Sequence, residues 1–76
     1  IDLSEPDAAQ ALSTQAAAWR GRRLSSRATE ALAKALGVVA DAVIECHRNA
    51  ASIRGLRFVY EPPSLRFFTA RFEPIG

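Results

Sequence analysis

Arg23 to Ala51, RLSSRATEALAKALGVVADAVIECHRNAA, is the stretch around which the rest of the chain must be arranged. Apolar residues recur at Leu24, Ala28, Leu32, Leu36, Val39, Val43, Cys46 and Ala50. Steps of three and four place them on one face of a helix. Arg27, Glu30, Lys34, Asp41, Glu45 and Arg48 share the opposite, polar arc. Ala33, Ala40 and Ile44 widen the apolar arc beyond one stripe. Such a helix must be covered on more than one side. Ser25 or Ser26 supplies its cap, which predicts a helix over about 25–51.

Upstream, Ser4-Glu5-Pro6-Asp7 reads as a helix start, with Ser4 as cap and Pro6 in the first turn. Ala8, Leu12, Ala16 and Trp19 then form a narrow apolar stripe, so a first helix is expected over about 5–20. Gly21 closes it, and Gly21-Arg22-Arg23 is short enough to make the two helices neighbours. Downstream, Gly55 suits a left-handed exit from the long helix. LRFVYE then alternates apolar and polar residues at strand period over about 56–61. Pro62-Pro63-Ser64 interrupts the pattern, and LRFFTARFE resumes it over about 65–73. The expectation is one α+β domain over 1–76: a short N-terminal helix, a long amphipathic helix, and a C-terminal antiparallel β-hairpin. Tyr60–Phe67 or Phe58–Phe67 would be neighbours across the strands.

Composition bounds the function. The chain has 76 residues, one cysteine and a net charge of +2. A single thiol permits no internal disulfide, and Cys46 beside His47 points about 100° away from it on a helix. These two therefore make neither a nucleophile–base pair nor a zinc cluster. No phosphate-cradling glycine loop and no run of ~20 apolar residues occurs, so no cofactor, small-molecule substrate or membrane span is expected. One thiol without a secretion signal points to an intracellular setting, cytoplasm or nucleus. A non-enzyme is expected.

The hairpin poses the sharpest physical problem. Two strands alone are marginal and leave two unpaired edges. One face packs on the helices, and the other carries Val59 and Phe67. With Val38 and Ile44 on the wide arc of the long helix, these residues are the expected protein interface. The first functional reading is therefore a non-catalytic interaction module or complex subunit. It assembles through the hairpin edge and the wide helix face, with another protein or as a homodimer.

The second reading comes from the window Glu30 to Asn49. Leu32, Ala33, Leu36, Gly37, Val38, Val43 and Cys46 fall where the winged helix-turn-helix family places its apolar, alanine and glycine positions, and this window resembles that family. The resemblance implies a turn at Gly37, a recognition helix after it, and a DNA-binding regulatory function. Val39, Ala40, Asp41, Ile44, Glu45 and Arg48 would then face DNA, and Arg20, Arg22, Arg23, Arg27 and Arg48 would be the candidate nucleic-acid contacts. The same positions equally fit one continuous helix in which Gly37 costs ~1 kcal/mol relative to alanine.

Overall fold

A computed structural model describes residues 1–49, 55–64 and 66–75. Two helices, α1 (Ala8–Arg20) and α2 (Arg27–Arg48), precede two strands, β1 (Leu56–Tyr60) and β2 (Ala70–Pro74). The α+β order expected from the periodicities is the observed one, with the long helix second and the hairpin last.

α2 runs without interruption through Gly37. The turn implied by the helix-turn-helix resemblance is not made. Val39-Ala40 offers no capping side chain to open a new helix, whereas Leu36, Ala40 and Val43 keep one buried face across the glycine. Gly37 also sits where α1 ends. A Cβ built on it would lie 3.4 Å from the Arg20 guanidinium. Ser26 caps the helix: its Oγ accepts the Thr29 N–H at 3.2 Å and shares a 3.0 Å hydrogen bond with Thr29 Oγ1. Thr29 is thereby buried with its hydroxyl satisfied. Glu30 in the first turn, and His47 and Arg48 in the last, match the helix dipole. The last residues of the expected 25–51 span lie outside the described residues.

α1 begins at Ala8, later than position 5, and Ser4 does not cap it. The Asp2 carboxylate instead accepts the Ser4 N–H at 2.9 Å and the Ser4 hydroxyl at 2.7 Å. These bonds hold Asp2's carboxyl below its ordinary pKa, the Ser4 hydroxyl contributing most. The backbone of Asp2 bridges Arg57. Leu3 N–H donates to the Leu56 carbonyl at 3.0 Å, and Phe58 N–H donates to the Ile1 carbonyl at 2.8 Å. Residues 1–3 thus pair with the outer side of β1. The hairpin does not leave two open edges: among the described residues, the long unpaired edge belongs to β2.

The core lies between the helices and this sheet. Leu12, Leu32, Leu36 and Val43 are its fully enclosed side chains, joined by Leu3, Ala8, Ala16, Ala40 and Phe58. Burying a leucine or valine of this kind stabilises the fold by roughly 1.5–3 kcal/mol. Small alanines at positions 8, 16 and 40 allow the helices to approach. Trp19 is half-buried at the rim, as an apolar anchor with a polar tip. Its ring N–H donates to the Tyr60 hydroxyl at 3.1 Å, and that hydroxyl donates to Gln15 Oε1 at 2.6 Å. Leu24, assigned to the buried stripe, is 90% exposed. The linker runs from Gly21 to Ser26, and Leu24 lies in it, before the helical period begins.

The strand register is Phe58↔Phe72, Val59↔Arg71 and Tyr60↔Ala70. The rings of Phe58 and Phe72 meet edge to face at 5.4 Å, so Phe72, and not Phe67, is the cross-strand partner. β2 starts at Ala70 because Ser64 turns the chain first. Its N–H and Oγ both donate to the Phe67 carbonyl, at 2.9 and 3.0 Å. Phe67 therefore belongs to the loop. Gly55 enters β1 at φ 67°, the left-handed conformation expected of it.

Candidate functional site

An apolar opening lies between α2 and β2. It is a groove of about 440 Å³ lined, among the described residues, by the apolar Leu3, Val38, Val39, Ala42, Val43, Cys46, Leu56 and Phe72. Its geometry follows from two periodicities. On α2, Val39, Val43 and Cys46 form a stripe at steps of four and three, and Val38 and Ala42 form another beside it. The first stripe reaches the core, and the second overhangs it. On the sheet, Leu56, Phe58 and Tyr60 face the helices, and Phe72 faces the same way across from Phe58. β2 is the outermost strand among the described residues, however, and α2 does not cover Phe72 fully. Phe72 remains 54% exposed and Val38 59% exposed, on opposite walls of one groove.

The hydrogen-bond phase of the hairpin shows what β2 presents at its edge. Glu61 N–H donates to the Thr69 carbonyl at 3.0 Å, and Ile75 N–H donates to the Gly55 carbonyl at 2.7 Å. Alternate residues of an antiparallel pair share this role. Thr69, Arg71, Glu73 and Ile75 therefore turn their backbone groups toward β1. Ala70, Phe72 and Pro74 turn theirs away. Pro74 has no N–H, so the outward donors of β2 are those of Ala70 and Phe72.

On the face away from the helices, Arg57 Nε donates to Glu73 Oε1 at 3.1 Å, and Arg71 Nη2 donates to Glu73 Oε2 at 2.6 Å. These guanidiniums, Arg71 first, hold the Glu73 carboxyl below its usual range. Val59 lies on this same face, next to Ile1 and half-buried.

The four expected interface residues are thus not brought together. Val38 lines the apolar groove. Val59 is on the other face of the sheet. Ile44 is 43% exposed on α2 and does not line the groove. Phe67 is 65% exposed in a separate hollow with Arg27, Ala28, Ala31, Arg66 and Phe68. Sequence reasoning missed Phe72, Val39, Ala42 and Cys46 as parts of one surface. The available signal was the wide apolar arc of α2 combined with Phe72 on the edge strand.

Of the expected nucleic-acid contacts, Arg20, Arg22, Arg23 and Arg27 lie in or beside the linker, and Arg48 stands apart from them. Arg22 stacks on Trp19, its guanidinium carbon 4.2 Å from the ring centroid. Arg20 lies beside Gly37. Arg23 and Arg27 are exposed near the linker, and Arg48 pairs with Glu45 at 3.4 Å. Arg27 and Arg48 stand at opposite ends of α2, about 30 Å apart at 1.5 Å per residue. Among the described residues no three His, Cys, Asp or Glu side chains converge on a metal position, and no helix is long and apolar enough to cross a membrane.

Part of the chain is similar to tyrosine phenol-lyases. The enzyme of Symbiobacterium thermophilum is 62% identical over 41 residues, which is 54% of this chain and 9% of that enzyme. That of Intrasporangium calvum is 58% identical over 41 residues, with the same coverage. That of Nostoc punctiforme is 50% identical over 38 residues, covering 50% of this chain and 8% of the enzyme. The chain therefore matches less than a tenth of the length of these curated relatives. No family model matches it, and no solved structure does.

Proposed function

We propose that this chain is a non-catalytic assembly module that docks onto another polypeptide through the α2–β2 groove and the outer edge of β2, which is unpaired among the described residues. The observation that carries the reading is the groove itself: about 440 Å³ with an apolar lining among the described residues, beside a strand edge whose Ala70 and Phe72 N–H groups point away from β1. Apolar side chains gain roughly 25 cal/mol per Å² on leaving water. An added strand would also satisfy the outward donors of Ala70 and Phe72. The non-catalytic part rests on the placement of the two reactive side chains. Cys46 faces the groove while His47 is exposed on an adjacent, differently directed position. Amide hydrogen exchange tests the reading. The Ala70 and Phe72 amides should exchange slowly in the assembled state and rapidly in the chain at high dilution. Rapid exchange in both states would remove it.

The match to tyrosine phenol-lyases favours a second reading, in which the chain is a piece of such an enzyme. The remaining nine-tenths of the polypeptide would then fill the groove, and tyrosine phenol-lyase activity would belong to the complete protein. An antibody against the β1–β2 hairpin separates the two readings. Detection in the native cell of a species near 8.2 kDa supports a free-standing module. Detection only in a much larger polypeptide supports the second. A DNA-binding role has the arginines near the linker in its favour, but α2 runs through Gly37 without the turn of a helix-turn-helix.

A further inference from the structure

We infer that the occupant of the β2 edge is a second copy of this chain, paired antiparallel about Phe72. This rests on the docking reading above and adds the identity of the partner. Only residues whose backbone groups point outward can form the hydrogen-bonded pairs of a new ladder, and in β2 these are Ala70, Phe72 and Pro74. Their neighbours, Arg71 and Glu73, then fall in the intervening, closer pairs on the face away from the helices.

Three registers bring the body of β2 against itself. If Ala70 opposes the partner's Phe72, Arg71 opposes the partner's Arg71, and two like charges meet in a close pair. If Phe72 opposes the partner's Pro74, Glu73 opposes the partner's Glu73, with the same defect. If Phe72 opposes Phe72 of the partner subunit, Arg71 opposes the partner's Glu73 and Glu73 opposes the partner's Arg71. Opposite charges directly across a sheet stabilise it, and like charges destabilise it. The alternation Arg71-Phe72-Glu73 is thus self-complementary about Phe72. Pro74 meets the partner's Ala70 in this register. Its carbonyl accepts that residue's N–H, so the proline leaves no donor stranded there.

The same two-fold closes the groove. An axis normal to the sheet keeps both α2 helices on one face. The two grooves then abut across the paired Phe72 rings, and the exposed side chains of Val38 and Phe72 turn toward the seam. The continuous sheet has two copies each of β2, β1 and the 1–3 segment, with both hairpins centrally placed and the short segments outermost.

Sedimentation of the intact chain decides the matter. The expected mass is twice the 8.2 kDa of one chain. Arg71→Glu and Glu73→Arg should each sediment as monomers where the unsubstituted chain is a dimer, because each creates two like-charge pairs. Mixing the two variants should restore the dimer mass, because each then supplies what the other lacks. Circular dichroism confirms that each variant is folded. A second probe covers the case in which Glu73→Arg disturbs the hairpin through Arg57. Phe72→Cys in a Cys46→Ser background should form a disulfide-linked dimer, since hydrogen-bonded partners stand about 5.5 Å apart at Cα and disulfides accept roughly 4.4–6.8 Å. A folded chain that is monomeric at every concentration overturns the inference. So does a dimer that is indifferent to both charge reversals and forms no disulfide in the Phe72→Cys variant. A monomer whose Phe72 amide becomes protected in a complex with another polypeptide, a tyrosine phenol-lyase-like one included, overturns the second copy and leaves the docking reading standing.

Discussion

Replacing Gly37 by alanine should stabilise the protein, whereas replacing Gly55 by alanine should destabilise it. Gly37 lies inside α2 with ten residues of helix before it and eleven after, so its φ is helical and a Cβ adds no backbone strain. Glycine in a helix interior costs about 0.8–1.0 kcal/mol relative to alanine. The new methyl would meet only the Arg20 guanidinium, at 3.4 Å, an ordinary contact with the end of a flexible side chain. That group can swing into solvent, so the net gain should be about 0.5–1 kcal/mol. For a chain of this size, 1 kcal/mol moves Tm by about 4–8 °C, and the expected rise is about 2–8 °C. Gly55 reverses the sign. Its φ is +67°, and forcing an L-residue there costs roughly 1–2 kcal/mol, even though the nearest atom, the Ile75 carbonyl oxygen, is 3.7 Å away. Urea and thermal unfolding followed by far-ultraviolet circular dichroism would measure both. The refuting result is a loss of stability in Gly37→Ala. It would mean that the chain turns at this position and that the continuous α2 is wrong.

Other perturbations test the remaining parts of the fold. Leu36→Ala removes a fully buried side chain from the helix–helix core and should cost about 2–5 kcal/mol, read as a lower urea midpoint or as outright unfolding in so small a domain. Ser26→Ala removes the cap of α2 and a partner of the buried Thr29 hydroxyl; a loss of about 1 kcal/mol is expected from the same assay, and no change would argue against the cap. The carboxyls of Glu73 and Asp2 have folded pKa values below their unfolded ones, so the stability they contribute is present above the ordinary carboxylate range. That contribution is lost as pH falls through their lowered folded values. Glu73→Gln should therefore flatten the decline of the urea midpoint on acidification from about pH 6 to about pH 3, and an unchanged slope would show that the arginine contacts of Glu73 are not maintained in solution.

Local side-chain periodicity specifies the helices and strands of this protein. Steps of three and four from Ala28 to Val43 specify α2, because a helix repeats every 3.6 residues and those positions alone share a face. Alternation from Leu56 to Tyr60 specifies β1 for the corresponding reason with a period of two. Both signals are local, since they depend on where a side chain points from its own backbone. Long-range packing sets the features that depend on what lies opposite a residue. Ser4 has the chemistry of a cap, yet it bonds to Asp2 because residues 1–3 are drawn out as a strand along β1. Leu24 continues the helical period in sequence but lies in the linker, where no neighbour covers it. Phe67 and Phe72 are equally aromatic, and each falls within a stretch of strand-like sequence. A turn at Ser64 sends the first into a loop and leaves the second at the edge of the sheet. The candidate docking groove belongs to this second class. Val38 and Phe72 are far apart in the chain, and no local period relates them. They became two walls of one surface only when β2 took the outermost place in the sheet and α2 proved too narrow to cover it.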